Sequence, residues 1–214
     1  MICYIFGALK VTEFPFQIEN GDMVIAADMG FKNLKRLGIE PDYIIGDFDS
    51  LGYVPKERNT VVHPVEKDDT DTLLAVKFAL EKGYKDFRIF GGVGGRLDHT
   101  VSNIQTADYI AENGGSCVFF GDNENFTVIK NGRINFDENC RGNISVFALE
   151  KSKNINISGL YYRLENGELT PDFPLGASNK FNKEKSSVSV GSGKLLIIWE
   201  NRGGTLNSGE ITYE

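Results

Sequence analysis

Six short, nearly continuous apolar runs recur along the first part of the chain, and this recurrence constrains the fold more than any other feature. Runs of this kind are typical of strands that are covered on both faces. They lie at residues 3–8, 23–28, 43–48, 60–65, 86–92 and 116–122. Helical patterns separate several of them. The alternation predicts a Rossmann-like, three-layer α/β/α domain with a mostly parallel sheet.

Three stretches between the runs have helical spacing, with apolar residues three or four positions apart on one face. The three apolar faces are Phe31, Leu34 and Leu37; Leu73, Val76 and Leu80; and Leu97, Val101, Ile104 and Ala111. Glycine commonly ends a helix because it adopts the left-handed conformation there. We therefore expect these helices to end at Gly38, at Gly83 and near Gly114.

The second part of the chain has no convincing helical period. Asn131-Gly132 and Asn166-Gly167 each separate two strand-like runs, which is a strong signal for a β-hairpin. Residues 191–193 separate two further runs. We expect an α/β domain over residues 1–123 and an antiparallel β-sandwich or small barrel over residues 124–214.

The composition argues against some classes of partner. The chain has 23 basic and 30 acidic residues, a net charge of −7, which disfavours bulk nucleic-acid binding. No apolar run approaches the ~20 residues needed to cross a bilayer, and the N-terminus lacks the basic region of a signal peptide. Cys3, Cys117 and Cys140 are expected to be buried free thiols of a cytoplasmic protein.

Polar clusters follow four of the predicted strands. Asp28 follows the second strand, and Asp47 and Asp49 follow the third. Residues 66–71 follow the fourth strand, and residues 91–99 follow the fifth. The carboxyl ends of parallel strands share one edge of a sheet, and ligands bind at that edge. The sequence therefore predicts that these clusters form one site.

The chemistry of these clusters favours Mg²⁺ and a phosphate group. Carboxylates a few ångströms apart repel each other unless a cation or a proton neutralises them. Mg²⁺ prefers oxygen ligands, often one or two carboxylates with water and substrate phosphates. Asp47 and Asp49, with Asp28 and Asp71, could supply them. A glycine-rich loop before a helix favours an anion, and Arg96 adds a planar donor.

Each cluster also has a purely structural explanation. Asp47 and Asp49 could form a turn, and the aspartates of residues 68–71 could cap a helix. The glycine loop could be a tight turn, and it matches neither the Walker A nor the Rossmann glycine spacing. His99, beside Asp98, could be structural or part of the site. The coincidence of all four clusters at one sheet edge favours a functional site.

Five segments taken in order resemble the thiamine pyrophosphokinase (thiamine diphosphokinase) family. They are AADMG, GDFDS, KDDTD, GGVGGRLDH and, further on, LGASNKF at residues 175–181. The resemblance spans nearly the whole chain. Met29 stands where the family usually has the first of two glycines after the aspartate. This departure puts a close backbone approach to the ligand at residue 29 in question.

The resemblance implies an enzyme that transfers the pyrophosphoryl group of ATP to the hydroxyl of thiamine, giving thiamine diphosphate and AMP. It implies a catalytic, ATP- and Mg²⁺-binding N-terminal domain and a thiamine-binding, dimerising C-terminal domain. The implied Mg²⁺ ligands are Asp28, Asp47, Asp49 and Asp71. The implied ATP-phosphate contacts are Gly91, Gly92, Gly94, Gly95 and Arg96.

The resemblance also implies the residues closest to thiamine. Asp71, Asp98 and Arg96 are the implied catalytic residues, without an assignment of a general base. Ser178 and Asn179 are implied thiamine contacts from the other subunit of a homodimer, and an aromatic residue such as Phe181 could stack on the ring.

Two other readings of the motifs stay open at this point. An aspartyl phosphatase also places Asp-x-Asp after a strand, but normally after the first strand rather than the third. A thiamine or nucleotide sensor could keep the fold without turnover, although a pure binding protein does not need so many acidic residues at the site.

Overall fold

The computed structural model describes residues 1–57, 59–64, 68–201 and 210–213. The chain divides into two compact units, Met1–Gly121 and Asp122–Glu214.

The first unit contains the six strands that the apolar runs predict. They are β1 (Ile2–Phe6), β2 (Met23–Ala27), β3 (Tyr43–Gly46), β4 (Thr60–Val62), β5 (Asp86–Phe90) and β6 (Ser116–Phe120). The helices are α1 (Gly30–Leu37), α2 (Asp71–Glu81) and α3 (Leu97–Glu112). Every strand ends one to three residues before its apolar run does, because the last residues leave the sheet to form loops. Val65, at the end of the fourth run, lies outside the described residues.

All pairings among these six strands are parallel, which confirms the predicted sheet. The order is β6-β5-β1-β2-β3-β4. Its centre is apolar: Ile5 lies between Ile25 and Ile89, and all three are fully buried. The chain runs outward in one direction from β1 to β4 and then resumes on the other side of β1 with β5. The gap between β1 and β5 is therefore a topological switch point, where α/β sheets place ligands.

Residues 10–20 form no helix or strand, yet two of their side chains cover part of the sheet. Phe6, Phe90 and Phe120 form a row on neighbouring strands, with ring centroids 5.2 and 4.9 Å apart. Phe14 packs against Phe6 and Phe90, and Phe16 against Phe90 and Phe120. This aromatic packing stabilises the strands on both sides of the switch point.

The predicted buried face of α3 is wrong at its first turns. Leu97 is 76% exposed and Val101 is 49% exposed. The helix instead buries polar residues there, including Asn103 and Thr106. Asn103 can be buried because its amide donates to the carbonyl of Gly92 at 2.7 Å. Apolar spacing does not reveal a buried helix face whose inward residues are hydrogen-bonded polar side chains.

The described residues of the second unit form nine strands. They are β7 (Glu124–Lys130), β8 (Gly132–Phe136), β9 (Asn143–Ala148), β10 (Ser152–Ser158), β11 (Leu164–Leu169), β12 (Asn179–Lys180), β13 (Ser186–Ser192), β14 (Lys194–Glu200) and β15 (Glu210–Tyr213). They pair in the orders β12-β9-β14-β7 and β11-β10-β13-β8-β15. Every one of these pairings is antiparallel, as the sequence predicts.

The hairpin predicted at Asn131-Gly132 is wrong. Asn131 connects β7 to β8, but β7 pairs with β14 and β8 pairs with β13. Gly193 connects β13 to β14 at the same corner. The backbone N–H of Asn131 donates to the Gly193 carbonyl at 3.2 Å, and the Gly193 N–H donates to Asn131 Oδ1 at 3.0 Å. The positive φ of Asn131 thus turns the chain from one sheet into the other.

The hairpin predicted at Asn166-Gly167 is also wrong. Both residues lie inside β11, where Asn166 has a φ of 48°. The pairing of β11 with β10 is antiparallel but shifts register on either side of Ile155. A residue with positive φ inside a strand is typical of a bulge, and here it bends the strand instead of reversing it.

The three cysteines are buried and free, as predicted. Burial raises the pKa of the Cys3 and Cys140 thiols, which makes both poor nucleophiles. Among the described helices, none is long and apolar enough to cross a membrane.

Candidate active site

A cavity of about 410 Å³ opens at the carboxyl edge of the parallel sheet, beside the switch point. All four polar clusters contribute to its lining. The lining residues are Gly7, Ala8, Leu9, Ala27, Asp28, Asp47, Ser50, Asp69, Thr70, Asp71, Thr72, Gly91, Gly92, Gly94, Arg96, His99, Ser102 and Asn103. The parallel topology therefore brings carboxylates and a glycine loop from distant parts of the chain into one space.

Within the described chain, three of the proposed site residues of this unit do not line the cavity: Asp49, Gly95 and Asp98. Asp49 is exposed, and its backbone N–H donates to Asp47 Oδ1 at 3.2 Å. The Ser50 hydroxyl donates to Asp49 Oδ1 at 2.9 Å. Phe48, between the two aspartates, has a φ of 61° and is buried. Of the Asp-x-Asp pair, only Asp47 lines the cavity.

Asp28 has the most unusual environment in the site. It is 6% exposed, its φ is 45°, and its Oδ1 has no hydrogen-bond partner. Its backbone N–H donates to the Ile45 carbonyl at 2.9 Å, which holds it beside the end of β3. Gly46 fits against it, because a Cβ at residue 46 would lie 3.1 Å from the Asp28 Cα. Strained backbone and an unsatisfied buried oxygen together are typical of functional sites.

The electrostatics around Asp28 disfavour its charged form. Burial is the main cause that raises the pKa of the Asp28 carboxyl, and the charges of Asp71 and Asp47 raise it further. The nearby Ser50 hydroxyl and the Met29 backbone N–H act in the opposite direction. A cation placed among these aspartates would relieve the repulsion between them.

The amino end of α2 supplies two further carboxylates to the cavity lining, Asp69 and Asp71. Thr70 caps the helix by accepting the Leu73 N–H at 3.3 Å, so the aspartates are not needed as caps. Asp69 forms an ion pair with Lys77 Nζ, at 2.8 and 2.6 Å from its two oxygens. Asp71, the first residue of the helix, is half-buried and lines the cavity. Glu66 and Lys67, which open the predicted cluster, lie outside the described residues.

The glycine loop is shaped by three left-handed residues and by close backbone contacts. Gly91, Gly94 and Gly95 have φ values of 69°, 92° and 70°. A Cβ on Gly91 would lie 2.6 Å from the Leu9 carbonyl oxygen. Asn103 of α3 donates to the Gly92 carbonyl from behind. Side chains are therefore excluded where the loop meets the chain that follows β1.

Arg96 and Asp98 are bound to each other at the mouth of the cavity. Arg96 Nε donates to Asp98 Oδ1 at 3.1 Å, and both side chains are exposed. This hydrogen bond is the main cause that lowers the pKa of Asp98. The His99 backbone N–H also donates to Asp98 Oδ1, at 2.9 Å. Asp98 is therefore ionised and engaged, and the guanidinium has a partner that an anionic ligand could replace.

The carboxylates are the type of ligand that a hard cation such as Mg²⁺ prefers, although they do not form a complete set of ligands by themselves. Among the described residues, no three His, Cys, Asp or Glu side chains are placed to hold a metal ion together. Mg²⁺ does not require this, because water and phosphate oxygens commonly complete its coordination. The buried, unpartnered Oδ1 of Asp28 is the observation that fits a cation best.

The backbone conformation of Met29, the residue that departs from the family pattern, does not require a glycine. Met29 has φ −57° and ψ −16°, a right-handed conformation that any residue adopts. The close approach occurs one residue later, because a Cβ on Gly30 would overlap the carbonyl oxygen of Phe6. Gly30 therefore lets α1 begin directly against the end of β1.

Sequence reasoning missed one whole wall of the cavity. Gly7, Ala8 and Leu9 line it but carry no charge and belong to no motif. Asn33 contacts this segment from α1 and was not singled out either. The available signal was topological, since a glycine follows the first strand and a switch point places the first strand at the site.

In the second unit, Asn179 is 5% exposed and its amide is used by the backbone of a neighbouring segment. It accepts the Tyr162 N–H at 2.9 Å and donates to the Tyr162 carbonyl at 2.7 Å. Ser178 is exposed with a φ of 59°, and its backbone N–H donates to Ser145 Oγ at 3.0 Å. These contacts show Asn179 shaping the segment and leave Ser178 accessible.

Phe181 is half-buried next to this segment. Its ring packs edge-on against Phe136, with ring centroids 5.2 Å apart and an interplanar angle of 68°. Phe136 in turn contacts Trp199 at 5.3 Å. The Phe181 ring is therefore anchored to the core of the second unit and keeps one part accessible.

A parallel sheet with carboxylates and a glycine loop at its switch point is typical of proteins that bind phosphate groups. Comparison with known proteins identifies the family. Residues 15–119 match the model of the thiamin pyrophosphokinase catalytic domain, and residues 132–195 match the model of its vitamin B1 binding domain. The chain therefore belongs to the thiamin pyrophosphokinase family of enzymes.

Individual relatives agree with this assignment. Thiamine pyrophosphokinase of Bacillus subtilis (strain 168) is 30% identical over 184 residues, which cover 81% of this chain and 85% of the relative. The crystal structure of thiamine pyrophosphokinase from Bacillus subtilis superposes with a TM-score of 0.81 at 24% identity, over 94% of this chain and 99% of that one. Thiamin pyrophosphokinase from Candida albicans gives 0.74 at 16% identity, over 93% and 89%. The solved structures show the shared fold.

Proposed function

We propose that this protein transfers the pyrophosphoryl group of ATP to the hydroxyl of thiamine, in a Mg²⁺-dependent reaction that gives thiamine diphosphate and AMP. The observation that carries the proposal is the cavity, which Asp28, with its buried and unpartnered Oδ1, lines together with Asp47, Asp71 and the glycine loop. Membership of the family supports thiamine as the acceptor.

Asp28, Asp47 and Asp71, with Asp49 nearby, would hold Mg²⁺. The ion, when bound, supplies positive charge that neutralises carboxylate and phosphate oxygens. Burial of Asp28 excludes water from one side of this site, so the charge acts in a medium of low dielectric constant. Asp49, which is exposed and bonded to Ser50, would orient Asp47 through its backbone N–H.

The glycine loop would bind the phosphates of ATP. Gly91, Gly92, Gly94 and Gly95 present backbone without side chains, and α3 begins directly after them with its positive end. Arg96 would exchange its exposed partner Asp98 for phosphate oxygens, since a bidentate pair with phosphate is a strong charge-assisted interaction. Asp98, once released from Arg96, would lie beside the reacting groups. Asp98 and Asp71 are the two candidate contacts to the thiamine hydroxyl.

The thiamine half of the site is proposed on the residues of the second unit. Ser178 and Asn179 would contact the thiamine pyrimidine from the partner subunit of a homodimer, and Phe181 would offer its accessible side to the ring. In this proposal residues 1–123 form a Rossmann-like catalytic domain and residues 124–214 a β-sandwich for thiamine binding and dimerisation. The protein would act in the cytoplasm.

Two alternatives are less well supported. An aspartyl phosphatase normally carries its nucleophile after the first strand, where this chain has Gly7, Ala8 and Leu9. A sensor without turnover would have no use for a strained, buried carboxylate that costs stability. Family membership disfavours both.

The proposal is tested by incubating the purified protein with ATP, Mg²⁺ and thiamine and separating the products by chromatography. We expect equal amounts of AMP and thiamine diphosphate, and neither without thiamine. Asp71→Asn should lower the rate at least about 100-fold. Glu81→Gln, at the other end of the same helix and exposed, is the matched control and should retain activity. ADP or free phosphate as the thiamine-dependent product would refute pyrophosphoryl transfer.

A further inference from the structure

We propose that Asn33 is a positioning residue that holds residues 7–11 in the shape needed to form the second wall of the nucleotide site. The inference rests on the proposed function, because it assigns that wall to ATP. Asn33 itself would not touch the nucleotide. It would act through the backbone of this segment, which we call the β1 loop (residues 7–11).

The contacts of Asn33 are directed entirely at the β1 loop and its surroundings. The side-chain amide donates to the carbonyls of Gly7 at 2.9 Å and Leu9 at 2.7 Å, and its oxygen accepts the N–H of Val11 at 3.1 Å. Arg36, one turn further along α1, donates to the same oxygen at 3.1 Å. One side chain thus satisfies three backbone groups of a loop that has no secondary structure of its own.

The burial of Asn33 makes these bonds consequential. The residue is 2% exposed, and a buried amide is costly unless it is hydrogen-bonded. Removing it would leave backbone carbonyls without a donor, at about 1–3 kcal/mol for each buried group that loses its partner. The loop would then lose its defined shape more readily than the rest of the unit would unfold.

The other side of the β1 loop is bonded to the glycine loop. The Gly7 N–H donates to the Phe90 carbonyl at 2.7 Å, and the Leu9 N–H donates to the Gly91 carbonyl at 3.0 Å. A Cβ on Gly95 would lie 2.9 Å from the Leu9 side chain. Because the glycine loop is the proposed phosphate site, the β1 loop faces the same ligand. Ala8, between the two anchored residues, is exposed and lines the cavity.

The placement of Asn33 follows from Gly30. Because α1 begins against the carbonyl of Phe6, its first turn passes the end of β1 and brings Asn33 over the loop. Asn103 performs the equivalent task for the glycine loop, donating from α3 to the Gly92 carbonyl. Each wall of the cavity therefore has one buried asparagine behind it. Because both asparagines donate to backbone carbonyls of the cavity walls, their role is to position those walls and not only to fill the core.

The test uses limited proteolysis and nucleotide binding on the full chain. Lys10 is exposed but Val11 is buried, so trypsin can cut after Lys10 only when the loop opens. We expect Asn33→Asp and Asn33→Ala to raise the rate of this cut about tenfold. Asn33→Asp keeps the acceptor for Val11 but cannot donate to the two carbonyls. Cleavage after Arg88, in strand β5 of the same unit, reports unfolding of that unit and should not rise in parallel.

The second readout is the dissociation constant of α,β-methylene-ATP, which cannot react by cleavage at the α,β position, measured by titration calorimetry with Mg²⁺. We expect it to rise about tenfold in both variants, with KM for ATP rising similarly and KM for thiamine unchanged. The control is Asn113→Ala, which removes an exposed asparagine–carbonyl bond at the far end of α3 and should change neither readout.

The outcomes separate the two proposals. Wild-type protein that binds the analogue but forms no thiamine diphosphate would refute the proposed function. The role of Asn33 would still be decided by analogue binding in its variants. A loosened loop with unchanged analogue binding would overturn the role of Asn33, as would variants in which the cut after Lys10 is no faster. Wild-type protein that does not bind the analogue would overturn both.

Discussion

Aspartates lie at both edges of the parallel sheet, but their surroundings differ. At the amino edge, where the strands begin, Asp22 accepts the N–H of Ile2 at 2.7 Å and that of Glu19 at 3.0 Å. Asp42 accepts the N–H of Val24 at 2.8 Å. These carboxylates complete the hydrogen bonding of strand ends and line no part of the cavity.

At the carboxyl edge, Asp28, Asp47 and Asp71 surround the cavity instead. Asp28 has a strained backbone and an oxygen without a partner, and burial, followed by the charges of the other two aspartates, raises its pKa. The reason is the direction of the strands. A parallel strand begins with free N–H groups and ends with free carbonyls, so a carboxylate at the carboxyl edge receives fewer donors from the strand ends.

The edge of the parallel sheet on which an aspartate lies therefore indicates its role. Backbone donors neutralise the amino-edge aspartates within the folded protein. At the carboxyl edge, Asp28 instead keeps a buried carboxylate oxygen without a partner, which a cation would satisfy.

The largest expected effect comes from making the same substitution at both edges. Asp28→Asn should lower kcat/KM at least about 100-fold, because it removes a proposed Mg²⁺ ligand, and should leave the free energy of unfolding unchanged or higher. Asp42→Asn should keep kcat/KM and lower the free energy of unfolding by up to about 1 kcal/mol, since a neutral acceptor is weaker. Product chromatography and urea denaturation without Mg²⁺ measure the two quantities.

The opposite pattern would break the comparison. If Asp28→Asn destabilised the protein and left turnover intact, the carboxyl-edge aspartate would be structural. Circular dichroism of each variant before the assay controls for misfolding.

A second, smaller effect concerns glycines at the two ends of α1. Gly30→Ala should destabilise the first unit by about 3 kcal/mol, because the new Cβ overlaps a backbone carbonyl that cannot move freely. Gly38→Ala should cost about 1 kcal/mol, since Gly38 has a φ of 70° but no described atom lies within 4 Å of its Cβ position. Urea denaturation followed by circular dichroism compares them. Equal costs would show that α1 does not need its close approach to the carboxyl edge.

The strands and the acidic clusters were predictable because both depend on local pattern and parallel topology. Runs buried on both faces are continuously apolar, and all six predicted runs became strands, although β4 at the edge of the sheet is not buried. The convergence of Asp28, Asp47 and Asp71 follows once those strands are parallel. The two hairpins were not predictable, because Asn131 and Asn166 specify a local backbone conformation and not the partner of the next strand.

The second wall of the site could not be predicted for a different reason. Asn33 contacts Gly7 and Val11 across 26 and 22 residues of sequence, through an amide that no spacing rule singles out. The buried face of α3 failed likewise, since Asn103 lies inward where a pattern of apolar residues expects Leu97 and Val101. Buried polar groups are defined by their partners, and those are known only in three dimensions.

The smallest expected effect tests whether the fold stabilises the charged form of every aspartate at the amino edge. Asp86 begins β5 at that edge, yet burial is the main cause that raises the pKa of its carboxyl, against the favourable charge of Arg88 and a hydrogen bond with Ser116. Its folded state therefore holds the proton more tightly than the unfolded state, so stability falls as pH rises from the ordinary aspartate pKa through the raised one.

Asp86→Asn should remove this loss. Near pH 3 the variant and the wild type should have equal free energies of unfolding, and from the raised pKa up to pH 7 the variant should be more stable by less than about 1 kcal/mol. Urea denaturation at a series of pH values measures the difference, with Asp42→Asn as the amino-edge control that should show no such gain. If the variant were less stable than the wild type at pH 7, the charged carboxylate of Asp86 would be stabilised at the amino edge, as those of Asp22 and Asp42 are. The rule that amino-edge aspartates are stabilised by the fold would then include Asp86.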